Sequence, residues 1–218
     1  MNQKNDTIFA EQVRMLYANS LVAILVSVAV GLLFWWSQWT VMSQGVLIVW
    51  FSFFIGISTA RLLLLVAFKK KKPPAERIHP WNTYFLTGVY CISLLYGTAP
   101  FFLYPDNNPT GQTVFFLVIT GLATGGITSL CSSWYAVSVF ISLTLLPLAL
   151  KMLAMNTQQS LIIGFLILIF WVLTLFGARR LNLNVLHNID LRIQSVEREK
   201  VLKTSEERYR HIFKTAPL

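Results

Sequence analysis

Arg61 is the charged side chain that lies deepest within an apolar run of this 218-residue sequence. It precedes Lys69, the first of four consecutive lysines, by eight residues, or ~12 Å along a helix. A long side chain covers part of that distance, so we favour an interpretation in which the guanidinium extends to the membrane surface. In the alternative, Arg61 is a buried cation that binds a carbonyl-rich pocket or an anionic ligand. The long apolar runs contain no Asp or Glu to pair with it, which also argues against a proton-coupled transporter.

Threonine and glycine recur through the segment 120–129, which reads TGLATGGITS. Gly121 and Gly125 form a small-xxx-small pair, which favours close packing of a neighbouring helix. The alternative interpretation makes this strip the wall of a pocket, or a sliding face that changes on signalling. In that case the candidate residues for binding a lipophilic ligand are Arg61, Thr120, Thr124 and Thr128.

Residue types that carry catalysis or bind metals are sparse and scattered. His79, His187 and His211 lie outside the apolar runs, and none has a second ligand at metal spacing. Cys91 and Cys131 have no spaced partners, so we interpret them as small buried apolar residues. We find no nucleophile–base pair, P-loop or dinucleotide fingerprint. The sequence therefore predicts no metal, no cofactor and no enzymatic activity for this chain.

The overall composition indicates a membrane protein. Hydrophobic residues make up 55% of the sequence and charged residues 12%, about half the usual share in a soluble domain. The mean hydropathy is +0.60. The net charge of +9 raises the question of nucleic acid binding, but the basic residues cluster beside the apolar runs, as is typical of cytoplasmic loops. We therefore expect the lipid bilayer, and not a nucleic acid, to be the partner.

Six segments are long and apolar enough to cross the ~30 Å hydrocarbon core as helices. They cover residues 16–36, 45–68, 82–103, 113–131, 134–153 and 160–177. Pro147, in the fifth segment, lacks a backbone N–H and is expected to kink that helix. The predicted fold class is an all-α membrane protein with a domain of six transmembrane helices, 16–177, after a cytoplasmic segment, 1–15.

The basic residues also predict the orientation. If 69–72 and the pair 179–180 lie in the cytoplasm, both termini lie there too, because the number of spans is even. The opposite loops, 37–44, 104–112 and 154–159, contain no Lys or Arg and are each shorter than ten residues. Such loops cannot form a binding domain, so a stimulus must be read within the bilayer, at its surface or in the cytoplasm.

A charged segment without glycine follows the last span. Four apolar residues spaced three, four and three apart predict the seam of a short two-stranded coiled coil within a linker helix, 178–203. They are Leu186, Ile189, Ile193 and Val196. An amphipathic helix lying on the membrane is the alternative interpretation. The seam ends near Lys200, and Thr204 with Glu207 matches a capping box that starts a new helix.

The run 205–218, SEERYRHIFKTAPL, resembles the first helix of a PAS domain, which typically reads S-E-E-R-Y-R-x-I-F-E-x-A-P. This resemblance implies that 204–218 is the start of a PAS domain, cut at its beginning. The segments EQVRMLY at 11–17 and RLLL at 61–64 resemble the N-terminal membrane regions of proteobacterial signalling proteins. Such regions precede PAS, diguanylate cyclase and phosphodiesterase domains, or a histidine kinase. The resemblance implies a multi-pass protein of the bacterial inner membrane, and we favour a cyclic-di-GMP output over a kinase.

Three functional hypotheses follow from these features. We favour a sensory input module that passes a signal through a homodimeric linker helix to a cytoplasmic PAS and output domain. The stimulus would be a lipophilic ligand or a property of the bilayer. A small transporter or channel is the second hypothesis, although the sequence has no convincing inverted repeat. The third is a passive anchor that senses nothing and only raises local concentration and enforces dimerisation.

Overall fold

The computed structural model describes residues 3–215, and the side chains of 7–195, 198, 199 and 201–207. This part of the chain contains helices and no strand. The long helices are α1 (Gln3–Gln38), α2 (Gln44–Lys71), α3 (His79–Phe102), α4 (Pro109–Leu130), α5 (Trp134–Ala154) and α6 (Gln158–Thr215). A short 3-10 helix, Ala75–Arg77, lies between α2 and α3. All six long helices are long and apolar enough to span a membrane, which confirms the predicted all-α fold with six candidate spans.

Consecutive helices run in opposite directions. Tyr17 of α1 stacks on Phe68 near the end of α2, with ring centroids 3.7 Å apart. At the opposite end of the same pair, Trp35 stacks on Phe51 with centroids 5.7 Å apart. We call the end of the bundle that carries 69–72, Arg179 and Arg180 the basic end, and the opposite end the far end. α1, α3 and α5 begin at the basic end, and α2, α4 and α6 begin at the far end.

α3 and α5 form the centre of the bundle. In their most apolar stretches 44% and 50% of residues are buried, against 22–28% in the other four helices. α5 continues unbroken through Pro147. Because a proline cannot donate to the carbonyl four residues earlier, the Leu143 carbonyl is free of that bond and faces Gly97 of α3. A Cβ at Gly97 would overlap this oxygen and lie 3.2 Å from Pro147 Cγ, so the close contact requires glycine.

α6 is a single helix of 58 residues, or ~87 Å. It begins with reciprocal capping, since the Ser160 N–H donates to Thr157 Oγ1 (3.2 Å) and the Thr157 N–H donates to Ser160 Oγ (3.0 Å). The prediction that a new helix starts at Thr204 is therefore wrong, because that residue lies inside α6. Lys, Arg and Glu are good helix formers, so the charged tail continues the helix that the last span begins.

The far end carries one basic residue, Lys151 of α5. Its Nζ lies 3.9 Å from Asp106 Oδ1 and 5.8 Å from the centroid of the Tyr104 ring. Both partners belong to the short loop between α3 and α4. Burial, and then the charge of Asp106, raises the pKa of the Tyr104 hydroxyl above its ordinary value. These contacts hold the loop over the end of α5.

Candidate functional site

α1 and α4 are in contact at the far end of the bundle. Phe34 and Phe115 pack edge to face with centroids 5.8 Å apart. Nearer the end, Gln38 Nε2 donates to Gly111 O at 3.4 Å. α4 begins here because Pro109 occupies its first position and the Asn108 side chain accepts a hydrogen bond from the Gly111 N–H (2.8 Å). These contacts join the two helices at one end.

Away from these contacts, a groove of about 890 Å³ runs between α1 and α4. One wall is α1 from Ala18 to Phe34, which corresponds to ~24 Å of helix rise. The other wall is α4 from Val114 to Leu130. The floor comes from α2, α3 and α5, and consists of Arg61, Ile92, Tyr96 and Phe140. Because lining residues such as Val26 and Leu117 are exposed, the groove opens sideways, towards lipid.

The lining changes from apolar to polar along the groove. The half nearer the far end is apolar and includes Val30, Leu33, Val114, Leu117 and Val118. The half nearer the basic end includes hydrogen-bonding side chains, namely Asn19, Thr128 and Ser129. Arg61 adds the only formal charge of the described lining. The groove therefore offers a hydrocarbon surface at one end and polar groups at the other.

Arg61 enters the floor of the groove from α2. It packs on Gly88 of α3, where an added Cβ would lie 3.0 Å from Arg61 Cγ and 3.9 Å from its Nε. Helical side chains lean towards the N-terminus of their helix, which for α2 is the far end, so Arg61 leans away from the lysines at 69–72. No ion pair among the described residues involves Arg61. Arg61 is half-buried, and the structure thus favours a cation held within the groove over a side chain that extends to the membrane surface.

Tyr96 and Ser27 form a hydrogen bond beside Arg61. Their hydroxyl oxygens are 2.5 Å apart and either one can be the donor. Tyr96 is 3% exposed and lines the same groove as Arg61. This bond joins α1 to α3 across the floor of the groove. Since a hydroxyl both donates and accepts, the pair is able to add a hydrogen bond to a polar group that Arg61 binds.

The three threonines predicted to bind a ligand donate to carbonyls of their own helix. Thr120 donates to Phe116 O (2.6 Å), Thr124 to Thr120 O (2.8 Å), and Thr128 to Gly125 O (2.9 Å). Hydroxyls in membrane helices commonly form such bonds. Of the three, Thr128 lines the groove and the other two do not. The structure therefore brings Arg61 and Thr128 to one site and leaves Thr120 and Thr124 outside it.

Gly121 and Gly125 line the groove. Among the described residues, no neighbouring helix comes within 4 Å of the position that a Cβ would occupy on either glycine. The predicted close packing on these two residues is therefore not made by any helix in the described part of the chain. The adjacent Gly126 makes such a contact instead, since a Cβ there would overlap the Phe140 ring of α5. The prediction identified the right helix but the wrong face of it, because successive residues of a helix are rotated by ~100° about its axis.

α6 packs mainly on α5, and one hydrogen bond joins it to Cys131, the residue that follows α4 at the basic end. Asn182 is 3% exposed and donates from Nδ2 to Cys131 O at 2.7 Å. The Arg179 guanidinium lies 5.0 Å from the ring centroid of Trp134, the first residue of α5. The Cys131 thiol donates to Thr128 O at 3.3 Å, and burial raises the pKa of this thiol. A short chain of contacts thus leads from the groove residue Thr128 to α6.

The residues predicted to form a dimer seam differ in their surroundings. Ile189 is 5% exposed, so it is buried by its own chain. Leu186 and Ile193 are half-buried, and the side chain of Val196 lies outside the described residues. Because Ile189 is buried, the first part of the tail does not stand wholly apart from the rest of the chain. A dimer contact through Ile189 requires that residue to leave its intrachain packing, and the homodimer stays a prediction.

Sequence reasoning missed several residues of the site. Ser27 and Tyr96 are isolated polar residues within apolar runs, which is a weak signal, and their partnership across 69 residues has no local signature. Asn182 follows the last span among other polar residues, so nothing distinguishes it from a solvated side chain. Cys91, interpreted above as buried, is exposed on α3.

Comparison of the chain with protein-family models, with curated proteins and with solved structures finds no match. The groove and α6 are therefore the features that bear on the function of this chain. The groove supplies a site open to lipid, and α6 supplies a rigid connection out of the bundle.

Proposed function

We propose that this chain is a membrane-embedded sensory input module that passes a signal along α6 to a PAS domain and an output domain. The observation that carries the proposal is the hydrogen bond from Asn182 Nδ2 to Cys131 O. It joins α4, which walls the groove, to α6, which leaves the bundle. A groove without such a link would suit a passive anchor equally well.

The signal begins when the groove is occupied. Gly121 and Gly125 leave space for a ligand against the backbone of α4, since no neighbouring helix fills it. A ligand there bears on one face of α4 and shifts it relative to α1. Because α4 is one helix of 22 residues, the shift reaches its end at Cys131. Asn182 then transmits it to α6, as in other transitions in which packed helices slide or rotate by small amounts.

The continuity of α6 supports the second half of this mechanism. Its apolar stretch and its charged tail belong to one helix, with no break before Thr215. A rotation or axial shift at Asn182 therefore reaches the segment 205–215, which resembles a PAS helix, without passing through a hinge. We propose that the tail forms a homodimer there, so that the movement changes how two output domains face each other.

The proposed location is the inner membrane of a bacterium, with both termini in the cytoplasm. The supporting observation is the basic end, where the lysines at 69–72 and the pair 179–180 lie on one side of the bundle. α6 leaves the bundle at this end. We propose an output in cyclic-di-GMP signalling, with a sensor histidine kinase as the alternative.

Two variants of one residue type test the link between α4 and α6. Residues 1–218 are joined to a reporter diguanylate cyclase, and cyclic-di-GMP is measured in cells. Asn182→Ala removes the hydrogen bond to Cys131, and a loss of ~1 kcal/mol shifts a two-state population about fivefold. Asn184→Ala, at an exposed position of the same helix, is the matched control and should leave the output unchanged. Equal outputs from both variants would contradict the proposal.

Insertions test the rigidity of α6. One residue inserted after Ser195 turns everything beyond it by ~100°, whereas seven residues restore the phase to within ~20°. The one-residue insertion should change the output and the seven-residue insertion should largely preserve it. Equal reporter outputs from the one-residue and the seven-residue insertions would contradict transmission along the helix.

The alternative functions have distinct outcomes. A passive anchor is favoured if replacement of 16–177 by unrelated helices of the same topology leaves the reporter fully regulated. A transporter or channel requires a path through the bundle, whereas α1 and α4 close the far end of the groove through Phe34, Phe115 and Gln38. Flux of a solute into vesicles that contain residues 1–177 would favour the transporter.

A further inference from the structure

We infer that the groove binds a single-chain carboxylic acid, an amphiphile whose carboxylate pairs with Arg61 and whose hydrocarbon chain lies between α1 and α4. This inference names the ligand class of the input module, and its signalling meaning rests on the function proposed above. Binding itself is measured without any output domain, so the two ideas can fail separately.

The charge of Arg61 provides the first argument. A guanidinium does not lose its proton in proteins, so this position carries a permanent positive charge. A charge removed from water is costly unless it is paired, yet no carboxylate among the described residues pairs with Arg61. The groove beside it opens to lipid, where the anions that can reach it are amphiphilic. A carboxylate matches the guanidinium with two parallel hydrogen bonds.

The polarity of the lining provides the second argument. From the level of Ser27 to Phe34 the α1 wall offers ~10 Å of helix rise towards the far end. Opposite it, Leu117 and Val118 complete an apolar channel for a chain whose head lies on Arg61. A longer chain continues into the bilayer, because Val26 and Leu117 on the rim are exposed. The hydrogen-bonded Tyr96 and Ser27 hydroxyls lie beside the head group, and the one whose proton is not used within the pair is able to donate to it.

The depth of Arg61 decides between two sources of acidic amphiphile. Arg61 lies ~12 Å of helix rise from Lys69, so a ligand head must leave the membrane surface to reach it. A phospholipid would have to carry a permanently charged phosphate to that depth. A carboxylic acid can travel there as the neutral acid and release its proton to water when it pairs with Arg61. The single-chain acid is therefore the occupant we assign.

The charge requirement is tested with the purified full chain in detergent and radiolabelled oleate. Oleyl alcohol, which has the same chain without the acid, should compete at least tenfold more weakly than unlabelled oleate. Arg61→Gln should weaken oleate binding at least tenfold. Lys151→Gln, which removes a cation that does not line the groove, is the matched control and should bind like the wild type. Equal binding of oleate by Arg61→Gln, or of alcohol and acid, would overturn the inference.

The location is tested with two glycines. Gly125→Leu fills the groove and should abolish oleate binding. Gly56→Leu is the control, because Gly56 is exposed on α2, lies outside the lining and also has nothing within 4 Å. Since no atom lies within 4 Å of the Cβ position at either glycine, both variants should fold, and this pair tests the location even if Arg61→Gln does not fold. Oleate binding by Gly125→Leu would overturn the inference.

Two further outcomes would replace the occupant. Displacement of oleate by phosphatidylglycerol at equal concentration would assign the groove to a bilayer phospholipid. A change in oligomeric size for Gly125→Leu with oleate binding intact would assign it to a second copy of the chain. If oleate does not bind but Asn182→Ala changes the reporter output as expected, only the ligand class is contradicted. If oleate binding depends on Arg61 but Asn182→Ala leaves the reporter output unchanged, only the signalling proposal is contradicted.

Discussion

Replacing Gly97 with alanine is expected to destabilise the protein, because the added Cβ would overlap the Leu143 carbonyl oxygen of α5. That oxygen faces α3 because Pro147, four residues later, cannot bond to it. A backbone carbonyl cannot rotate away as a side chain can, so the two central helices must separate or α5 must bend.

The size of the effect follows from two opposing terms. Overpacking of this kind costs ~1–3 kcal/mol, and separation also strains neighbouring contacts such as Tyr96 against Phe140. Alanine recovers ~1 kcal/mol because it favours a helix more than glycine does. Because the overlap is with a backbone oxygen that cannot move aside, we expect the upper end of the overpacking cost, and the resulting net loss of ~2 kcal/mol lowers the apparent melting temperature by about 4–8 °C for a chain of this length.

Thermal unfolding of the detergent-purified protein, followed by tryptophan fluorescence, measures this shift. Gly56→Ala is the matched control, because no atom lies near its Cβ position and the variant should melt at the wild-type temperature or above. Adding Pro147→Ala to Gly97→Ala should restore part of the loss, since alanine can bond to Leu143 O and removes the ring. A Gly97→Ala variant that melts like the wild type would refute the close contact between α3 and α5.

Three further predictions concern other parts of the molecule. Thr144→Val should raise the apparent melting temperature, since the Thr144 hydroxyl is buried without a partner among the described residues and its desolvation costs ~1–3 kcal/mol. Burial raises the pKa of the Cys131 thiol, so less thiolate is present at a given pH. Two single-cysteine variants test this, one that keeps only Cys131 and one that carries its only cysteine at exposed position 195, in place of Ser195. The pH midpoint of maleimide modification should be higher for Cys131, and equal midpoints would contradict this. Copper-catalysed oxidation of membranes should link Ile193→Cys into a dimer on a non-reducing gel and leave Ile189→Cys monomeric, because Ile189 is buried by its own chain.

The number and type of the spans could be predicted because bilayer crossing depends on length and apolarity, which are properties of the sequence itself. The ends of the helices could not. α1 begins at Gln3 and α6 continues to Thr215, well beyond the apolar segments at 16–36 and 160–177. Hydrophobicity marks where a helix enters lipid, whereas hydrogen bonding and helix propensity decide where it ends. The capping-box pattern at Thr204 had no effect because the helix preceding it never stopped.

The candidate site was predictable only in part. A single charge in an apolar run identified Arg61 without any knowledge of its neighbours. The groove required knowing where α1 and α4 touch, and contacts such as Phe34 with Phe115 join residues far apart in the chain. The faces of α4 show the same limit, because Gly125 and Gly126 are equivalent in sequence terms. Packing against Phe140 selects Gly126 for contact and leaves Gly125 open.

The length of α6 gives small movements in the bundle a large reach. From Ile189, the last buried residue of α6 in the described part of the chain, to Thr215 there are 26 residues, or ~39 Å of helix. A tilt of only ~5° about that point would carry the tip sideways by ~3 Å over this ~39 Å arm. α6 is thus also a lever with its fulcrum at Ile189. A sub-ångström displacement of α4 beside the fulcrum would arrive at the tip several times larger.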